Sequence, residues 1–477
     1  MFKTLANAWK IQDLRKKLLV TLFIILLYRI GTAIVVPFVD ANAVTDYVAN
    51  QSNGIFGILN TLSGSGLANA SLFALGVSPY ITASIVIQLL TVAIPALERL
   101  AKQGEEGKQK ITVITRYITV AIALLTGIGY YFLISSDTVN AVLFDDWYVA
   151  VVMIACYCAG ASLVMWLAEK INEHGIGNGI SIILFANIVS RFIVVVQDYI
   201  GKIDTIFTIE DWTFSVPSAL VLIFTTIGML ALIYFVVFIS DSERRIPVQY
   251  AKKVVGRKMY GGRNTNLPLK LNMAGVMPVI FANAILSLPG MIFGFIDTDY
   301  DLYAKNYQFW HMLGYEFEDL YPNASFGAKM DAFFSNTTSW FFVIMTFILI
   351  LAFAYFYVAI SFNPTEVAGN LQQNGGSIPG IRPGKPTSIF IKRVLSKVTF
   401  MGALALSVVA VLPTLVYLLL NLFGELANLP GLMADYSMIG EFISSGTSVI
   451  IVVGVVLETV RDLEAQMTMR HYKGFLD

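Results

Sequence analysis

The chain has 477 residues, of which 56% are hydrophobic and 13% charged, with a mean hydropathy of +0.70 and zero formal net charge. Soluble domains carry roughly 25% charged residues, so polar surface is too scarce here to cover a water-facing body of 52.5 kDa. Lipid has to cover much of it, and a soluble enzyme is excluded. The alternating ten-residue strands of an outer-membrane barrel are missing, whereas runs of about 20 apolar residues, enough to cross a ~30 Å hydrocarbon core, recur along the chain. Helices are therefore expected to satisfy the backbone in lipid.

Lys3, Lys10, Arg15, Lys16 and Lys17 precede an apolar run from Leu18 to Pro37. This has the outline of a signal peptide, but the run is too long and no small-residue cleavage site follows, so an uncleaved first span is expected. Expected spans are 18–37, 74–95, 114–134, 147–168, 178–197, 215–239, 272–293, 340–360, 399–421 and 443–460. Cys156 and Cys158 lie two positions apart in the fourth and read as packing residues. The three histidines are scattered, so no metal site and no cofactor are expected.

With the N-terminus inside, the inner segments hold 27 of the 32 Lys and Arg. The outer ones hold Arg191, Lys202, Lys305 and Lys329, and Arg29 lies within the first span. Because Lys/Arg bias sets orientation, this partition predicts ten spans with both termini cytoplasmic. Ten divides into five plus five, and an odd-numbered half reverses its orientation on duplication; no residue-level repeat is visible. The expected fold is thus an all-α polytopic membrane protein of ten transmembrane helices in two inverted halves, 1–200 and 201–477.

Three segments exceed what a plain bundle needs. Residues 54–80 are small, apolar and hydroxyl-rich, and Leu62–Ala70 is long enough for about two helical turns, too short to cross. The segment is either an ordinary outer loop or a re-entrant element seated in a cavity. Residues 241–271 carry eight basic and two acidic residues among β-like stretches around VQYAKKVV and RKMY, a surface for anionic lipid, protein or RNA. Residues 363–397 contain Gly375-Gly376, Pro379-Gly380, Pro383-Gly384 and Pro386, predicting a turn-rich, non-helical course. It would present Arg382 on a stiff tip for a carboxylate or phosphate. The outer loop 293–339 has seven acidic residues against two lysines and many aromatics, which suits a folded cap or a contact with a small partner.

The spans are poor in ionisable groups; only Glu458, Gln88, Asn187 and Asn283 stand out. HExxH, GxSxG and Walker motifs are missing. Pairs four apart, Ile81 with Ile85 and Leu184 with Ile188, lie on one helix face. Such pairs suit core, lipid contact or a narrow aliphatic constriction that gates by excluding water.

Five stretches carry a family resemblance: GVSPYITASIVIQLL at 76–90, NEHGIGNGISIILFANI at 172–188, RRIPVQYAKK at 244–253, LPLKLNMAGVMPVIFANAILSLP at 267–289 and IPGIRPGKPT at 378–387. In that order, the chain closely resembles the SecY family, the channel-forming subunits of the bacterial Sec protein translocase, over nearly its whole length. The resemblance implies two halves closing as a clamshell around an hourglass pore that passes unfolded polypeptides. Hydrophobic segments would leave sideways into lipid between the second and seventh helices. It implies a pore ring of Ile81, Ile85, Leu184, Ile188, Ile280 and Ile451, with Ile450 the alternative to Ile451. A plug would be formed by Leu62, Ser63, Gly64, Ser65, Gly66, Leu67, Ala68, Asn69 and Ala70. Gln88 and Asn283 would line the lateral gate. Arg244, Arg245, Lys252, Lys253 and Arg382 would dock the ribosome or the SecA motor ATPase. Implied partners also include SecE-like and SecG-like small subunits, secretory and membrane-protein clients and anionic lipids, in the bacterial inner membrane. Leu184 departs from the isoleucine of many relatives, a change between two large aliphatics. The competing reading is a secondary transporter of a small solute, which would need an ionisable or carbonyl-lined site at midplane. An intramembrane enzyme would need a catalytic pair that the spans do not supply.

Overall fold

The computed structural model describes residues 7–50, 55–136, 139–144, 146–191, 216–250, 253–255, 258–260, 264–296, 339–426 and 436–473. The expected outer loop 293–339 falls almost entirely outside the described residues, as does Lys252.

The helices, in chain order, are α1 Gln12–Ala33, α2 Ala41–Asn50, α3 Ile55–Ser63, α4 Ser78–Ala93, α5 Pro95–Ala101, α6 Glu105–Ser135, α7 Trp147–His174, α8 Gly179–Arg191, α9 Val216–Asp241, α10 Met277–Ile296, α11 Trp340–Ser361, α12 Pro364–Gln373, α13 Lys385–Leu426 and α14 Tyr436–Lys473. Each of the ten expected spans falls on one of them. Among the described residues, α6, α7, α11 continuing into α12, and α13 are long and apolar enough to cross a membrane outright.

Local chemistry sets the boundaries. Pro95 supplies no N–H and pushes the residue before it out of the helical region; Ile94 is accordingly extended, and α4 and α5 meet at 106°. Ser339 caps α11 by accepting from the Phe342 amide at 3.1 Å, and Asn363 caps α12 through Thr365 N at 3.1 Å. Two expectations are corrected. Residues Leu62–Ala70 do not form a helix of their own: α3 ends at Ser63 and a chain of turns follows. Gly64 and Gly66 have low helix propensity, and Gly64, Ser65 and Ala70 all have positive φ. Nor is 363–397 non-helical throughout. Helices α12 and α13 occupy its two ends, and the turns are confined to the Gly/Pro cluster between them, where glycine and proline concentrate.

The basic segment folds as strands. β1 Glu243–Tyr250 pairs antiparallel with β4 Asn264–Lys270 on one side and with β5 Gly376–Ser377 on the other. β2 Lys253–Val255 and β3 Lys258–Tyr260 form a separate antiparallel pair. The sheet order β4-β1-β5 thus joins the two long loops into one body.

The main core gathers buried side chains from α1, α4, α7, α8, α9, α10, α11, α13 and α14. A second core packs the 36–75 region against α6 and α7, where Tyr130 OH donates to Leu67 O at 2.7 Å. Small residues permit the close approaches typical of helices in lipid: a Cβ at Gly160 would sit 1.8 Å from the Leu72 carbonyl. The outer faces stay apolar, with Leu125 68% and Leu22 63% exposed, as lipid contact requires. Between α6 and α7, Arg116 grips Glu169 with Nε at 2.9 Å and Nη2 at 2.7 Å.

Candidate functional site: a buried aliphatic cluster beside a short helix

Ile81 and Ile85 come from α4, Leu184 and Ile188 from α8, Ile280 from α10 and Ile451 from α14, and all six are buried in the one main cluster. The i, i+4 spacing puts each pair on a single face, and the four helices contribute these residues to the same buried cluster. Beside them lies a cavity of about 40 Å³, lined by Ile81, Ile280 and Ile451, by Phe56, Leu59, Leu62 and Leu67 of the short helix and its turns, and by Asn283. Of the two candidates on α14, Ile451 lines this cavity and Ile450 does not, although both are buried. A passage closed by large aliphatics offers water no hydrogen-bond partner and dewets.

α3 has nine residues; at 1.5 Å per residue it is far too short to cross. Its side chains Phe56 and Leu59 are buried, so it sits inside protein, where non-spanning backbone is tolerated. Leu67, Ala68 and Ala70 are buried too, while Asn69 is exposed. The turns are held by their own polar groups: Asn60 Oδ1 accepts from Ala68 N at 3.1 Å, and Ser71 Oγ donates to Gly66 O at 3.0 Å.

α4 packs against α10. Gln88 is half-buried and donates to Ser84 Oγ at 3.1 Å within its own helix, whereas Asn283 is buried and faces the cavity. A seam between these two helices is thus apolar with a few polar positions.

Arg244 and Arg245 are exposed on β1, opposite Leu269 and Pro268 of β4, and Arg245 also pairs with Glu243 at 2.6 Å. Lys253 begins β2, opposite Tyr260. Burial, followed by the nearby positive charge of Arg461, pulls the Lys270 ammonium at the end of β4 below its ordinary range. Arg382 is exposed between Gly380 and Gly384, both at positive φ, and its carbonyl accepts from Thr387 Oγ1 at 2.9 Å. β5 pairs with β1, Gln249 opposite Ser377 and Tyr250 opposite Gly376, which ties the loop carrying Arg382 to the strand carrying Arg244 and Arg245; the sheet so formed is the basic platform.

One polar group escaped sequence reasoning as a unit. Tyr28 and Arg29 of α1 and Asn187 and Ser190 of α8 converge on the end of α3. The available signals were an arginine inside an apolar span and an asparagine near the middle of another.

The helical membrane body, with its short helix set beside a buried aliphatic cluster, shares its fold with solved channel structures. The solved structure described as a protein conducting channel superposes with a TM-score of 0.58 at 17% identity, covering 95% of this chain and 92% of the other. Sec61 in the canine ribosome-channel complex gives a TM-score of 0.54 at 16% identity, with the same coverage. In sequence, the SecY family model matches residues 71–460. The protein translocase subunit SecY of Streptomyces coelicolor is 40% identical, and that of Mycobacterium tuberculosis 37% identical, each along 100% of both chains. This chain belongs to the SecY family, and its function is that of a multi-pass channel subunit of the protein translocase.

Proposed function

We propose that unfolded polypeptides cross the membrane through the constriction formed by Ile81, Ile85, Leu184, Ile188, Ile280 and Ile451. α3 and the turns to Ala70 form the plug, and apolar segments leave for lipid between α4 and α10, past Gln88 and Asn283. What supports this reading is the burial of six large aliphatics from four helices in one cluster, together with the cavity that Ile81, Ile280 and Ile451 share with Phe56 and Leu59 of a helix too short to span. A conduit for varied side chains should bind none of them strongly. An aliphatic ring is a compliant gasket, whereas a charged filter would trap segments of opposite charge. A signal sequence gains by exchanging water for lipid through the side seam.

In this reading the chain crosses ten times as two halves, 1–200 and 201–477, with both termini in the cytoplasm of a bacterial cell. Arg244, Arg245, Lys252, Lys253 and Arg382 dock a ribosome or a SecA-type motor. The energy for movement comes from that partner, and the channel itself catalyses no covalent chemistry. SecE-like and SecG-like subunits complete the complex, and anionic lipid contacts the basic platform. Liposomes carrying the chain with its small subunits, a motor ATPase and ATP should accumulate a secretory precursor in a protease-protected form. Uptake of a small solute without precursor protection would favour a secondary transporter instead.

A further inference from the structure

The four carbonyls at the C-terminal end of a helix lack intrahelical partners. In α3 these belong to Asn60, Thr61, Leu62 and Ser63. The first two are satisfied by the turn itself, from Ser65 N at 2.9 Å and Gly64 N at 3.2 Å. The others are met from outside: Asn187 Nδ2 donates to Leu62 O at 2.6 Å, and Tyr28 OH donates to Ser63 O at 3.3 Å. Arg29 Nη1 then donates to Gly64 O at 3.2 Å, and Arg29 Nη2 donates to Ala186 O and Ser190 Oγ on α8.

Asn187 Nδ2 also donates to Tyr28 OH at 2.9 Å, and Tyr28 and Asn187 are both completely buried. Three consecutive carbonyls therefore sit in a receptor made by α1 and α8. The guanidinium lies at the helix end where the macrodipole favours a cation. Gly64 fits it closely: its φ is +68°, and a Cβ there would stand 2.7 Å from Asn187 Oδ1 and 2.8 Å from Arg29 Nη1. Ionisable side chains inside apolar spans are costly and are retained for a purpose. The recorded hydrogen bonds of Arg29 all go to carbonyl or hydroxyl oxygens at this junction.

We propose that Tyr28, Arg29 and Asn187 are positioning residues that latch the C-terminal end of α3 in the closed channel. This inference rests on reading 55–70 as the plug. The latch grips backbone, so the plug's side chains are free to fill the apolar cavity while its position is fixed by directional polar contacts. Opening must break these contacts together, which sets how strong a stimulus is needed.

The test is passive chloride leak from liposomes carrying the full-length chain. Arg29→Gln and Asn187→Leu should each raise the leak roughly five- to tenfold, the shift expected for losing one or two such hydrogen bonds from the closed state. Arg29→Lys, which keeps a point charge but not the fork, should fall between. Gly64→Cys with Asn187→Cys, in a background with Cys156 and Cys158 replaced by serine, separates latching from folding. The Gly64 Cβ position is 3.0 Å from Asn187 Cγ, within disulfide reach. The pair should leak when reduced and seal when oxidised, reversibly in one preparation. Deletion of 55–70 separates the latch from the plug itself. If the deletion leaks while the latch variants stay as tight as wild type, or if the oxidised pair leaks like the reduced one, the latch is overturned and the plug stands. If the deletion itself leaves the liposomes tight, the plug reading fails and takes the latch with it.

Discussion

Ile85→Asp should make membranes that carry this chain leaky to ions even with no client engaged. Ile85 is 2% exposed and lies in the main cluster, whose described members are hydrophobic. Burying a carboxylate there unpaired costs several kcal/mol, so the closed packing yields to a hydrated one in which the aspartate finds water. The same argument predicts that Ile85→Leu is nearly silent, because volume-conserving aliphatic exchanges cost under about 1.5 kcal/mol. Conductance of planar bilayers containing each variant is the measurement. An Ile85→Asp channel as tight as the wild type would remove Ile85 from the barrier.

Arg382→Ala should cut binding of the motor ATPase to membranes by roughly 30- to 1000-fold, the range for an anchoring arginine at an interface hot spot. Gly380 and Gly384 at positive φ make the turns on either side of the tip, Pro383 fixes the backbone after Arg382, and the Arg382 carbonyl is held by Thr387. Little conformational entropy is lost when a partner engages it. Arg382→Lys should rescue poorly, since an ammonium lacks the planar fork. Chloride leak should remain at the wild-type level in both variants, because Arg382 is remote in sequence and exposed, outside the main cluster. Unchanged motor affinity for Arg382→Ala would take this residue out of the docking surface.

Much of this was legible in the sequence for identifiable reasons. Helix spacing set Ile81 beside Ile85 and Leu184 beside Ile188 on their helix faces, and both pairs are buried in the main cluster. β-like alternation in the basic loop became β1 to β4, because the alternating face of β1 buries Ile246 and Val248. What was not legible depends on contacts distant in sequence. The short helix stops at Ser63 because Gly64 and Ser65 turn the chain into a receptor formed by residues 28, 29 and 187. Local propensity near Leu62 carries no trace of that receptor. The Gly/Pro cluster near 375–386 correctly marked turns, but α12 was hidden beside it; its start is set by the Asn363 cap and Pro364, a local signal outweighed by the neighbouring breakers. Choosing between Ile450 and Ile451 also needed the rotation of α14 against the cavity.

A polypeptide in transit should pass through the ring. A single cysteine at Ile85, with Cys156 and Cys158 replaced by serine, can be crosslinked to a secretory chain stalled by a folded tail and carrying a thiol-reactive probe. Adducts are expected at position 85 only while the chain is mid-transit, and none once it is released. If position 85 never meets the chain while a probe at Arg244 or Arg382 shows the partner engaged, the polypeptide takes another path and the ring is not its conduit.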